Sequence, residues 1–149
     1  MAMFRRSLLL AGMLVAAAGP ALADEGDNGL LPFPVSQAFF SDHYRDCSEA
    51  GLSNADMNAC RDAELSAWDK RLNVAYKRLM TADKLDKAAK ERLKTAQKAW
   101  IADRDLSCEL PYIASGEGTM GLGWSAHCTV KETALRAERL EAWVQSLGL

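Results

Sequence analysis

Apolar side chains recur at steps of three and four through two long stretches of the chain. In the first, Cys60, Glu64, Trp68, Leu72, Ala75 and Leu79 share one face, and in the second Leu85, Ala89, Leu93, Ala96, Trp100, Arg104 and Cys108 do. This is the period of a helix with one buried stripe. Ser53 or Asn54 can cap the first helix, with Asp56 in its first turn. Asp83 can cap the second, with Asp86 in the first turn, and Pro111 is expected to end it. The connecting Thr81-Ala82-Asp83-Lys84 reads as a turn. With the turn centred near residue 84, an antiparallel pair levels Cys60 with Cys108, Glu64 with Arg104, Trp68 with Trp100, Leu72 with Ala96 and Leu79 with Ala89.

After Pro111 the pattern lapses. Gly116, Gly118, Gly121 and Gly123 interrupt the run up to Trp124, which reads as a loop. It lacks the Gly-Lys-Ser/Thr ending of a phosphate loop. Periodicity resumes over about Ser125 to Ser146 as a third helix, with Thr129, Thr133, Arg136, Leu140, Trp143 and Leu147 on one face and Gly148 as its terminator. No run alternates with period two, so strands are not expected. The fold class is therefore all-α: an antiparallel helical hairpin plus a third helix, a disulfide-linked three-helix bundle over residues 47–147.

The N-terminal region has a different character. Arg5 and Arg6 precede the apolar run Ser7 to Ala18, and Ala21-Leu22-Ala23 has the small-x-small form of a cleavage site. Residues 1–23 thus read as a signal peptide cut after Ala23, too short to span a membrane. No cysteine follows the cut, so no lipid anchor is expected, and the mature chain is expected to be periplasmic or secreted. Residues 24–46 read as a flexible lead-in. Pro32 and Pro34 break it, a short helix around Ser36 to Tyr44 fits, and Phe39, Phe40 and Tyr44 are expected to pack on the helical body.

Cleavage would remove two of the 18 basic side chains and none of the 20 acidic ones, taking the formal charge from −2 to −4. A mildly acidic chain is a poor match for nucleic acid and is open to a basic partner. Cys47, Cys60, Cys108 and Cys128 are the four cysteines of the chain. An even number in an exported chain reads as two disulfides. Cys47–Cys60 with Cys108–Cys128 is favoured because both loops are local, each contributing about 3 kcal/mol. Cys60–Cys108 is the alternative, because the hairpin register levels them.

Four polar side chains, Glu64, Arg104, Thr133 and Arg136, fall on apolar stripes. A buried charge is costly unless paired, so they read as a structural polar network in which Glu64 faces Arg104. His43 and His127 each lie near a cysteine, but their spacing is not that of a zinc site. No metal and no cofactor is expected. Neither a nucleophile elbow nor a pair of positioned carboxylates is present, so the chain does not read as an enzyme. Trp124 closes the glycine-rich run. With Tyr112, Glu117 and Met120 it forms the candidate partner-binding set, an aromatic and an acid on a tethered loop.

The ordered combination of Cys47, Cys60, Glu64, Leu72-Asn73 and Tyr76, then Leu93-Lys94, Ala96-Gln97, Ala99-Trp100-Ile101, Arg104-Asp105 and Cys108, then Gly116, Gly118, Cys128, Thr133, Arg136 and Leu140, resembles the lysozyme inhibitor LprI-like family. The resemblance covers roughly Cys47 to Trp143. It implies an all-helical, disulfide-linked exported domain and, from the founding member, action against lysozyme. The founding member resembles a lipoprotein, whereas this chain lacks the lipid-receiving cysteine. On this reading the chain is an exported binding protein whose partner is a c-type lysozyme. The alternative is an envelope-stress or scaffold domain that binds another exported protein.

Overall fold

A computed structural model describes residues 40–50 and 53–149. The expected signal peptide, the greater part of the lead-in and Phe39 lie outside the described residues. Four helices follow one another: α1 (Asp42–Glu49), α2 (Asn54–Thr81), α3 (Lys87–Ala114) and α4 (Thr119–Ser146). The all-α expectation holds among the described residues. The three-helix count does not, because α1 is a further helix at the end of the lead-in, overlapping the short helix expected around Ser36 to Tyr44 and running on to Glu49.

Local chemistry sets the helix ends. Ser53 caps α2 through a reciprocal capping box with Asp56, which satisfies two otherwise orphaned groups. Asp86, not Asp83, caps α3, accepting from the Ala89 N–H at 2.7 Å. Both α3 and α4 end on a glycine in the left-handed region. Gly116 (φ 72°) and Gly148 (φ 60°) follow the last helical turns. In each case the next two N–H groups reach back: Gly116 to Ile113 and Glu117 to Tyr112, Gly148 to Gln145 and Leu149 to Val144. This is the Schellman pattern, with Gly148 terminating α4 as expected.

The stripe expected on α2 is the stripe observed: Cys60, Glu64, Trp68, Leu72, Ala75 and Leu79 are its buried residues. What it packs against differs. α4 packs on both α2 and α3, whereas α2 and α3 touch each other sparsely. The hairpin register is therefore replaced by a bundle with α4 in the middle. The reason is the width of the apolar faces. On α3 only Leu93, Gln97, Cys108 and Pro111 are buried. On α4 the buried set is Val130, Thr133, Ala134, Arg136, Ala137, Leu140 and Val144, together with Gly121, a face broad enough to serve two neighbours. Ala134 and Ala137, both fully buried, are small enough to let the flanking helices close in. Trp143, placed on the expected α4 stripe, is 42% exposed.

The glycine-rich run is mostly helix. α3 continues through Pro111 to Ala114, and α4 begins at Thr119, leaving a short turn between them. Proline forfeits one helix hydrogen bond. Here Pro111 is buried one turn after Cys108, whose disulfide to Cys128 clamps α3 to α4. Gly121 makes the tight crossing possible. A Cβ there would lie 2.9 Å from the Tyr112 Cα and 1.8 Å from the Ser115 Oγ. The second disulfide joins Cys47 of α1 to Cys60 of α2. The favoured connectivity is thus the one observed, and the Cys60–Cys108 alternative is not.

Candidate functional site

The polar residues on the apolar stripes divide into separate clusters. The Glu64 carboxylate accepts from the Ser41 N–H (3.0 Å), the Ser41 hydroxyl (2.6 Å) and the Trp68 indole N–H (2.9 Å). Arg104 instead donates to Asp105 (2.7 and 2.9 Å) and to the Thr133 hydroxyl (3.3 Å). Arg136 donates to the Gln97 carbonyl at 2.9 Å. The expected Glu64–Arg104 pair is thus not formed. Of the four-residue network, the Arg104–Thr133 link is present, while Glu64 and Arg136 have other partners. Ser41 and Gln97 were missed in the sequence, because a lone serine before α1 and a glutamine on a mixed face carry no periodic signal. Arg71 joins α2 to α4 by a two-point bridge to Glu141 (2.7 and 3.0 Å) and lies over the Trp68 ring at 4.0 Å. The bridge holds the Glu141 carboxyl below its usual range.

The candidate partner residues do not share a loop. Tyr112 lies in α3, Glu117 in the turn, and Met120 and Trp124 in the first turns of α4. Glu117 sits at φ 60°, a conformation L-residues rarely adopt. Met120 and Trp124 line a groove of about 480 Å³ between the beginnings of α2 and α4. Asn54, Asn58 and Arg61 form the α2 wall, and Thr119, Leu122, Gly123 and His127 complete the α4 wall. Arg61 carries no signal in the sequence that marks it as a groove residue. It falls one residue after the buried Cys60, and one-residue offsets usually leave a side chain in solvent.

His127 forms the floor of this region. Its ring lies 4.6 Å from Phe40, which stacks on Tyr44 at 4.8 Å, and its Nδ1 is 3.4 Å from the Tyr44 hydroxyl. Burial, aided by the Arg61 and Lys131 charges, lowers its pKa to about 4, so the ring is neutral at pH 7. Burial also pushes the Tyr44 phenol up, against the opposing effect of Arg61. Phe40 and Tyr44 do pack on the helical body as expected. The cysteines are all in disulfides, and among the described residues no three His, Cys, Asp or Glu side chains converge as a metal site would require. No described helix is long and apolar enough to cross a membrane.

Apolar side chains are also exposed on α3 and at the start of α4. Leu106, Leu110 and Ile113 follow one another at helical spacing on α3 with 53–68% of their surface exposed, and Met120 and Leu122 on α4 are 60% and 55% exposed.

Fold and groove together define a small helical domain stapled by two disulfides. The chain belongs to the LprI family: the family model described as "Lysozyme inhibitor LprI" matches residues 46–140, a span that takes in the ends of both disulfides. An uncharacterized protein of Rhizobium meliloti (strain 1021) is similar, 35% identical over 112 residues that cover 68% of this chain and 80% of the relative. No solved structure matches the chain.

Proposed function

We propose that this protein is an exported binding protein that inhibits a lysozyme by direct contact and does no chemistry of its own. The observation that carries the reading is the family match, which spans α2 and α3 and most of α4. The structure is compatible with it in one further respect. The disulfide-tied end presents exposed aliphatic side chains, Leu106, Leu110, Ile113, Met120 and Leu122, beside the half-buried Trp124. Exposed apolar groups are suited to burial against a partner. Tyr112 lies near the end of α3 and Glu117 in the turn that leads to α4, and the contact set proposed is Tyr112, Glu117, Met120 and Trp124. Lysozymes of the c type are basic. A net acidic inhibitor is drawn to them over long range, an attraction that salt weakens.

The test is lysis of bacterial cell walls by a c-type lysozyme, with and without the oxidised protein. A stoichiometric fall in rate that is lost on reducing the disulfides supports inhibition. Unchanged lysis at large excess across several lysozyme types refutes it and leaves a scaffold domain with a different exported partner.

A further inference from the structure

The groove between the first turns of α2 and α4 combines a cation, amide donors and an apolar wall. Arg61 lines it, with one guanidinium nitrogen donating to the Asn58 carbonyl at 2.9 Å. The Arg61 Nε is buried without a hydrogen-bond partner, and so is the Nε2 of His127 beside it. Among the described residues no carboxylate lies at ion-pair distance from Arg61. A half-buried guanidinium without a counter-ion is a costly arrangement that a bound anion relieves. The α4 wall adds to this. Gly118 offers no side-chain cap, and the first helical backbone bond is Leu122 N–H to Gly118 C=O at 3.1 Å. The N–H groups before Leu122 thus have no intrahelical partner, Thr119 and Met120 of this turn line the groove, and a helix start favours negative charge. Met120, Leu122 and Trp124 supply an apolar surface next to this polar corner.

We propose that this groove binds a carboxylate attached to an apolar group, with Arg61 and the start of α4 holding the carboxylate and Met120 and Trp124 covering the apolar part. Two sources share that chemistry: the free chain end of a peptide, and a small free acid. The groove shares Met120 and Trp124 with the contact set proposed above, but the titration is read without lysozyme and turns on Arg61 and the start of α4, so either reading can fail without the other.

The experiment is an NMR titration of the full oxidised chain with four probes: sodium acetate, N-acetyl-leucine, acetyl-Ala-Leu with a free carboxylate, and the same dipeptide as its amide. The expected result is a shift of the Thr119 and Met120 amides, the Arg61 Nε–H and the Trp124 indole N–H with the two leucine carboxylates, at affinities on the order of millimolar, and none with the amide. Tighter binding of the dipeptide than of N-acetyl-leucine assigns a peptide chain end, and equal binding assigns a free acid. Arg61→Gln is expected to weaken binding about tenfold or more, the worth of one charge-assisted hydrogen bond. Thr119→Glu places a carboxylate at the helix start. It is expected to abolish the response while leaving the helical circular dichroism unchanged. No shift with any carboxylate, equal shifts with the amide, or a folded Thr119→Glu chain that still responds would overturn the proposal. If Arg61→Gln does not fold, Thr119→Glu decides alone.

Discussion

The Ser41 hydroxyl donates to Glu64 at 2.6 Å while accepting from the Tyr44 N–H at 3.1 Å. One side chain therefore caps α1 and fastens it to the buried face of α2. The second Glu64 oxygen takes the Ser41 N–H and the Trp68 indole, so among the described residues the carboxylate has three donors and no cation at ion-pair distance. Glu64→Leu leaves those donors unmatched and is expected to cost about 2–4 kcal/mol in urea unfolding, with Glu64→Gln costing less. Since Glu64 and Arg104 share no hydrogen bond, the Glu64→Leu and Arg104→Leu losses should add to within about 0.5 kcal/mol. Strong coupling in the double variant would show that the two sites are linked.

Cys47–Cys60 and Cys108–Cys128 constrain different parts of the chain. Replacing either pair with alanine should lower stability by about 3 kcal/mol. Loss of the first should expose the amides of α1 to hydrogen exchange while α4 stays protected. Loss of the second should loosen the α3–α4 turn. Exchange mass spectrometry on the two variants distinguishes these patterns.

His127 makes stability depend on pH. Its folded pKa of about 4 is below the ordinary 6.5, so between these values the unfolded chain binds more protons. Stability should be highest above pH 6.5 and fall as the pH drops towards 4. The loss is on the order of 1–2 kcal/mol once the partial exposure of the ring is allowed for. His127→Phe keeps the contact with Phe40 and should flatten this part of the profile, measured by unfolding at a series of pH values.

Gly121 and Glu117 bracket the α3–α4 turn with opposite expectations. Gly121→Ala drives a methyl into the Tyr112 backbone and should cost about 1–3 kcal/mol. Glu117→Gly relieves a left-handed residue and should be neutral or stabilising by up to about 1 kcal/mol. Thermal melts of the two variants test the pair.

Much of this could be read from residue order, and the exceptions have physical causes. The α2 face was legible residue by residue because its buried positions follow an unbroken three-four pattern. The order of neighbours was not. Level pairing of Cys60 with Cys108 presumes that two consecutive helices touch, and nothing in their stripes shows that Ala134 and Ala137 of a later helix fit between them. The glycine-rich run reads as a loop because glycine usually weakens helices. Gly121 is there for close packing, and tertiary contact outweighs propensity. Of the candidate contact residues, Met120 and Trp124 line one groove with Arg61, which sits on a helix about 60 residues earlier in the chain, an association that only the fold reveals.

The placement of α4 has a consequence for how the chain is made. The helix that the other two long helices pack on is the last of the four to be synthesised. A nascent chain that has emerged only as far as Thr119 holds two amphipathic helices with their apolar faces open, and Cys108 still lacks its mate. Cooperative folding of the bundle then waits on α4, and until it arrives the chain stays pliable and exposed to chaperones and proteases.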